Sequence, residues 1–267
     1  MRRRVGAALL LAIGLIAGPG VGGLGCRAAA LPAPAPAAGQ AGEPIVIGGK
    51  IFTESYVLGE IAAQTIQTQT HASVTLKLGM GSTGILFEAL RTGAIDVYPD
   101  YSGTLAEAIL KQPNLKSLDD IRRALGALDM TISGSLGFND TYALAVKEEF
   151  AQAHHLNSIG DLVAIQSSIK AAFSYEFMDR KDGYPGLVDS YRLHFDPKQV
   201  NRMEHALSFQ AIEQNAVNLI DVYSTDAKIK KLHLRRLKDD HNYFPVYQAV
   251  WVARNAFVAQ HPREWQA

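Results

Sequence analysis

The sequence holds a single cysteine, Cys26, among 267 residues, so no disulfide can close within the chain and the fold must rest on its apolar core. One thiol is also too few for a thiolate metal site. The eight histidines contain no H-E-x-x-H, and His154 and His155 are adjacent rather than four apart, so no metal is expected. Net charge is missing too: 26 basic and 26 acidic side chains cancel, which removes the positive field that nucleic acid requires of a partner. Charged residues make up 19% of the chain against 48% hydrophobic, a balance that suits a folded body rather than a disordered one. No G-x-S-x-G occurs, so a nucleophile elbow has no support. Beyond residue 25 no stretch reaches the roughly 18 uninterrupted apolar residues of a membrane-spanning helix.

The first 25 residues are of another kind. Arg2, Arg3 and Arg4 precede an uncharged apolar run from Val5 to Gly25, broken by Pro19 and by glycines between Gly14 and Gly23. That is the pattern of a cleaved leader, and its removal leaves a mildly acidic mature chain. Cys26 follows Gly23-Leu24-Gly25 directly. The junction resembles a bacterial lipoprotein signal, whose cysteine becomes the lipidated N-terminus, although Leu24 stands two residues before the cysteine where three is usual. Ordinary secretion, with Cys26 near the cut or lost with the leader, is the competing reading. Residues 26–44 therefore read as an anchor site and a tether, since alternating Pro and Ala from 27 to 44 favours an extended chain with little to bury.

From Ile45 the pattern is strand, glycine-rich or polar loop, helix, repeated. Ile45–Ile47 and Val74–Leu78 read as strands, residues 54–69 as a helix with Val57, Leu58, Ile61, Ala62 and Ile66 on one face. Ser82 or Thr83 is placed to cap a helix carrying Ile85, Leu86, Ala89 and Leu90 that stops at Gly93, and Ile95–Tyr98 reads as the next strand. Ser117 and Asp120 have the spacing of a capping box, for a helix bearing Leu118, Ile121, Leu125 and Leu128. A second set follows: strand 141–146, helix 147–155, strand 170–174, a helix through Tyr191 with Pro185 in its first turn, helix 206–215 and strand 217–223. Such alternation predicts a mainly parallel α/β architecture. The tetrapeptide Ile-Asp-Val-Tyr occurs at 95–98 and again at 220–223, as two similar lobes would have it.

Gly79-Met80-Gly81-Ser82-Thr83-Gly84 is G-x-G-x-x-G between a strand and a helix, the pattern of a dinucleotide loop. It lies on the second strand, however, and no acid stands about 20 residues on. A tight turn that points a helix N-terminus at a cleft fits better than a nucleotide-using enzyme. More unusual are tyrosines where strands end: Tyr98 and Tyr101 around Pro99-Asp100, Tyr142 after Asn139-Asp140-Thr141, Tyr223 before Ser224-Thr225-Asp226, and Tyr247 after Pro245. Loops at the carboxyl ends of strands line the ligand crevice in α/β sheets.

Six segments carry a family resemblance: Lys50–Glu54 (KIFTE), Gly93–Thr104 (GAIDVYPDYSGT), Gly137–Leu144 (GFNDTYAL), Phe177–Gly183 (FMDRKDG), Tyr223–Asp226 (YSTD) and Phe244–Tyr247 (FPVY). Their order and spacing resemble the osmoprotectant (glycine betaine, carnitine, choline) substrate-binding proteins of ABC transporters, from about Ile45 to the C-terminus. The resemblance implies no enzyme and no cofactor, but a two-lobed periplasmic-binding-protein fold of type II with ligand held between the lobes. Residues 45–140 and 244–267 would form the first lobe, 141–243 the second. Tyr101, Tyr142, Tyr223 and Tyr247 would cage a quaternary ammonium, with the backbone carbonyl of Asp140 facing it. Lys50, Thr104 and Arg180 would take a carboxylate. The implied partners are a small quaternary-ammonium ligand, a permease with its ATPase, and a membrane reached only through the lipid anchor. The location would be the periplasm or the outer face of the cytoplasmic membrane. Ile51, Ser102 and Val246 depart from the usual Asn, Thr and Pro, and family members usually run some tens of residues past Trp265, so the first lobe is expected to lack its last helices.

Mass spectrometry of the native N-terminus should find acyl chains on Cys26; an unmodified chain starting beyond Cys26 would contradict the anchor.

Overall fold

The computed structural model describes residues 43–267; the leader, Cys26 and the Pro/Ala tether up to 42 lie outside the described residues. Among the described residues the strands form two five-stranded sheets. The first holds β1 (Ile45–Gly48), β2 (Val74–Lys77), β3 (Val97–Tyr101), β4 (Met130–Ile132) and β10 (Ala249–Arg254), in the order β2-β1-β3-β10-β4. The second holds β5 (Tyr142–Lys147), β6 (Ala171–Ser174), β7 (Val200–Met203), β8 (Leu219–Tyr223) and β9 (Leu234–Arg236), in the order β7-β6-β8-β5-β9. The two orders are topologically equivalent, and the fold is the two-lobed periplasmic-binding-protein fold.

Each sheet is mixed rather than mainly parallel. β1 runs parallel to β2 and β3, and β6 runs parallel to β7 and β8. β10 lies antiparallel between β3 and β4, and β5 antiparallel between β8 and β9. The reason is the path of the chain. It leaves the first sheet after β4 and returns after β9, and each crossover segment enters its new sheet at the edge where β3 and β8 end. A strand that starts there must run away from that edge. The two crossovers touch: Asn139 bridges Gln248, the Asp140 amide donates to the Tyr247 carbonyl at 3.0 Å, and the Tyr247 amide donates to Asn139 Oδ1 at 2.6 Å.

The tetrapeptide echo falls in the equivalent third strands, but out of register. Tyr101 pairs with the first residue of β10 and Tyr223 with the first residue of β5, so Tyr223 corresponds to Tyr101 and not to Tyr98. Tyr98 is fully buried in the first core. Here β3 starts two residues later than the pattern suggests, because Asp96 caps the neighbouring strand: its carboxylate accepts the Val46 amide and the Arg254 guanidinium.

Helix α1 (Thr53–Thr70) corrects the expected face. It buries Ser55, Gly59, Ala63 and Ile66, while Val57 and Ile61 are exposed. Small residues let the helix come close to the sheet: a Cβ on Gly59 would stand 2.7 Å from Leu78 Cδ2. Ile85 and Leu128 are likewise exposed, whereas Leu86, Leu90, Ile121 and Leu125 enter the core as read from the sequence. The Ser117 cap is present, with Oγ accepting from the Asp120 amide at 3.1 Å. Helix α2 (Thr83–Arg91) starts where the glycine-rich turn ends, and Gly79 and Gly81 both adopt positive φ, at 69° and 128°. No helix among the described residues is long and apolar enough to cross a membrane.

The packing of α1 gives an expected contrast in denaturant titrations. Ile66→Ala should cost about 2–4 kcal/mol, whereas Val57→Ser should stay within about 0.5 kcal/mol of the wild type.

Candidate functional site

The ends of β3 and β8 and both crossovers converge on one small cavity. It is lined by Lys50, Tyr101, Thr104, Asp140, Tyr142, Arg180, Tyr223 and Tyr247, the eight ligand contacts that the resemblance implied, and also by Phe52 and Glu176. The eight come from both sheets and span nearly 200 positions of sequence. Tyr101 and Tyr223 end β3 and β8, Tyr142 opens β5, and Tyr247 stands just before β10. Lys50 lies in the loop after β1, Thr104 in the helical turn Ser102–Thr104, and Arg180 directly after the helical turn Tyr175–Asp179.

The rings form a wall. Tyr142 stands 5.4 Å from Tyr223 and 5.8 Å from Tyr247, the latter edge-on at 89°. Phe52 closes the set, 4.9 Å from Tyr223 and 6.3 Å from Tyr101. Supports behind the rings fix their angles. Tyr101 donates its hydroxyl to Glu54, and Tyr247 donates to Asp182 Oδ2 at 2.6 Å. Glycine at 103 lets the Tyr247 ring sit against the backbone, since a Cβ there would meet its Cδ1 at 2.7 Å. Behind Tyr223 lies the His205 imidazole, 4.3 Å between centroids. His205 Nε2 is 2.9 Å from Asp226 Oδ2, which also accepts the Tyr223 amide at 2.8 Å. Burial pushes this imidazole down, but Asp221 and Asp226 outweigh it and lift it to about 9, so it is cationic at neutral pH.

Both basic groups are already paired. Lys50 Nζ donates to Asp100 Oδ1 at 2.7 Å and to Thr83 Oγ1 at 2.8 Å. The fork of Arg180 is engaged by Asp182: Nε donates to Oδ1 at 2.8 Å and Nη2 to Oδ2. Its Nη1 donates to Thr104 Oγ1 at 3.0 Å, and lies 3.6 Å from Glu176 Oε1. Arg180 therefore cannot offer its whole fork to a ligand carboxylate: what remains are a third proton on Lys50, one N–H on each Nη of Arg180 and the Thr104 hydroxyl. Glu176 accepts from the Thr83 hydroxyl. Burial pushes its carboxyl up, but Lys50 and Arg180 outweigh this and hold it below the usual range, so it is an anion facing the cavity. Asp140 differs. Its Oδ1 accepts from the Thr225 amide at 3.1 Å and the Ser224 hydroxyl at 3.3 Å, while Oδ2 is buried without a partner.

Sequence reasoning missed Phe52 and Glu176. Phe52 lies inside the Lys50–Glu54 motif and was legible there, as an aromatic between two charged residues. Glu176 had no signal: it stands one residue before the Phe177 motif, and only its helical turn aims it at Thr83.

Comparison with known proteins places this geometry. The family described as the substrate binding domain of ABC-type glycine betaine transport system matches residues 43–267. The chain is 33% identical over 224 residues to the ergothioneine transport permease/ergothioneine binding protein EgtU of Helicobacter pylori, a match covering 82% of this chain and 40% of that protein. The chain therefore spans well under half of that relative. It is also 33% identical over 239 residues to a glycine-betaine-binding protein of Pseudomonas aeruginosa, covering 82% of this chain and 74% of that one. Among solved structures, one titled as a glycine betaine/carnitine/choline ABC transporter superposes with a TM-score of 0.65 at 29% identity, covering 83% of this chain and 84% of that one.

The pairing of Arg180 has a measurable consequence. Asp182→Ala should destabilise the protein by about 3–5 kcal/mol in denaturant titration, because a guanidinium out of water loses its counter-ion. A cost under about 1 kcal/mol would mean that the pair is solvated.

Proposed function

The chain belongs to the substrate-binding domains of ABC-type glycine betaine transport systems, and from that premise we propose that its cleft captures a small quaternary-ammonium compound and delivers it to an ATPase-driven permease. The supporting observation is the ring wall. A quaternary ammonium has no N–H to donate, so hydrogen bonds cannot select it, whereas ring faces attract it by about 0.5–1 kcal/mol each when exposed and about 2 when desolvated. Four tyrosines supply about half to three-quarters of the roughly 8 kcal/mol of micromolar binding. The rest calls for a second anchor, and the unused donors of Lys50, Thr104 and Arg180 suit a carboxylate. Glycine betaine is the simplest ligand with both ends; carnitine and ergothioneine share them.

Capture works by closure. Residues 45–140 with 244–267 act as one lobe and 141–243 as the other, and ligand contacts to both favour the closed arrangement. Anchored through Cys26 outside the cytoplasmic membrane, the body would reach the permease on its Pro/Ala tether.

Glu176 favours a second reading. Its carboxylate accepts a hydroxyl, which choline carries and betaine does not. Competition titrations separate the two: preference for betaine supports the carboxylate anchor, and preference for choline, reversed by Glu176→Gln, supports the hydroxyl.

The cage itself has a direct test by calorimetric titration. Tyr142→Ala and Tyr223→Ala should each weaken binding by about 1–2 kcal/mol, and the Phe variants by much less. These two positions are the clean ones, since Tyr101 and Tyr247 also hold Glu54 and Asp182 through their hydroxyls. Equal loss in the Phe and Ala variants would mean that the hydroxyl, not the ring face, makes the contact.

A further inference from the structure

The carboxylates around the cavity are not alike. Asp100 is paired with Lys50, Asp182 with Arg180, and Glu176 lies within 3.6 Å of Arg180. No salt bridge among the described residues reaches Asp140, although its side chain is buried and lines the same cavity as the four rings. One of its oxygens is held by the loop after β8, and the other, Oδ2, meets no donor. A buried carboxylate oxygen without a partner, on a residue that lines a ring-walled cavity, suits a cation that needs no hydrogen bond.

The groups facing Asp140 sharpen this. From the start of α1 comes Glu54, whose carboxylate is held by the Tyr101 hydroxyl. From the loop after β8 come Ser224, Thr225 and Asp226, the last backed by His205. From the other crossover comes Tyr247, joined to Asp140 through the backbone. Lys50 and Arg180 also line the cavity but are committed to other acids. Asp140 therefore stands among acids with no base of its own. Burial first, and then the Glu54 charge, push its carboxyl up to about 7, so that it is half protonated in neutral solution.

Resting on the capture reading above, we propose that the Asp140 carboxylate is the titrating counter-ion of the bound cation, and that capture of a quaternary ammonium drives a proton off this side chain. The O–H bond of the acid breaks, its electron pair stays on the carboxylate, and the proton passes to solvent. The attraction is Coulombic, since the cation offers no hydrogen, and it exists only for the ionised form. The role is separate from that of the Asp140 main-chain carbonyl.

The sign follows by linkage. The free site holds a proton below about pH 7, and the bound site holds one only at lower pH. Affinity should therefore be greatest above pH 7 and fall as the medium is acidified.

Tetramethylammonium is the probe, because it carries neither a carboxylate nor a hydroxyl and does not titrate. Calorimetry of the full chain at pH 6, 7 and 8, in buffers of differing ionisation enthalpy, reads affinity and proton release together. The expected result is a gain of about tenfold from pH 6 to pH 8, with about half a proton released per cation at pH 7. Asp140→Asn, which keeps the oxygen that Thr225 and Ser224 bind, should bind weakly at every pH with no slope. A carboxyl-carbon NMR titration of Asp140 in the wild type serves independently of that variant's folding: a midpoint near 7 should move down when tetramethylammonium is added. Binding with no slope in the wild type, the same slope in Asp140→Asn, or a midpoint that does not move would each overturn the counter-ion role while leaving capture intact. No binding of quaternary ammonium at any pH would overturn capture itself, and this inference with it.

Discussion

A guanidinium buried at the centre of a two-sheet molecule must be paired, and much of the site follows from how Arg180 is paired. It is 8% exposed, and its fork is closed by Asp182, itself 7% exposed. The same carboxylate accepts the Tyr247 hydroxyl, which sets the angle of a ring from the returning crossover. The remaining side of the guanidinium reaches Thr104 in the first sheet's helical turn, and its Cζ stands 5.6 Å from the centre of the Tyr142 ring and 5.9 Å from that of Tyr247. One desolvated charge thus ties both sheets and two rings into a single arrangement. Loss of any one partner leaves a charge out of water, a larger penalty than the pair's own net contribution.

Lys50 repeats this on the opposite side. Its ammonium is held by Asp100 and Thr83, and the Thr83 hydroxyl donates a hydrogen bond to Glu176. The glycine-rich turn before α2 finds its purpose here. It places Thr83 in the first turn of that helix, between a cation of one sheet and an anion of the other. The positive φ of Gly79 and Gly81 makes that sharp entry possible without strain. The polar floor of the cavity and its aromatic wall are thus built separately, the floor by ion pairs and the wall by rings propped from behind.

The near-symmetry of the sheets explains why tyrosines recur at strand ends. The third strand of each sheet finishes at the cleft, with Tyr101 in one and Tyr223 in the other, and each pairs with the first residue of a crossover strand. Tyr142 occupies that first position in the second sheet, and Tyr247 stands two residues before it in the first. Four ring positions therefore come from two equivalent corners of the topology, joined by crossovers that hydrogen-bond to one another. Small changes in those crossovers would change the distance between the corners.

What the sequence determined by itself was local. The succession of strands and helices, the cap at Ser117, the stop at Gly93 and the turn at Gly79–Gly84 all depend on contacts within a few residues, and all are present. The eight cavity residues were also legible, because six motifs at fixed spacing carry a family resemblance that composition alone does not. Tertiary structure decided the rest. Which face of α1 is buried was set by close approach to the sheet, where Gly59 and Ala63 fit and the larger Val57 and Ile61 were left outside. The direction of β5 and β10 was set by where the crossovers enter, a relation between segments far apart in sequence, Tyr142 with Tyr223 and Ala249 with Tyr101. The burial of the Arg180–Asp182 pair, the presence of Glu176 and the unpaired oxygen of Asp140 belong to the same class. They are properties of charges gathered from both sheets and stripped of water, and a charge's partner is fixed only when the whole chain has closed around it.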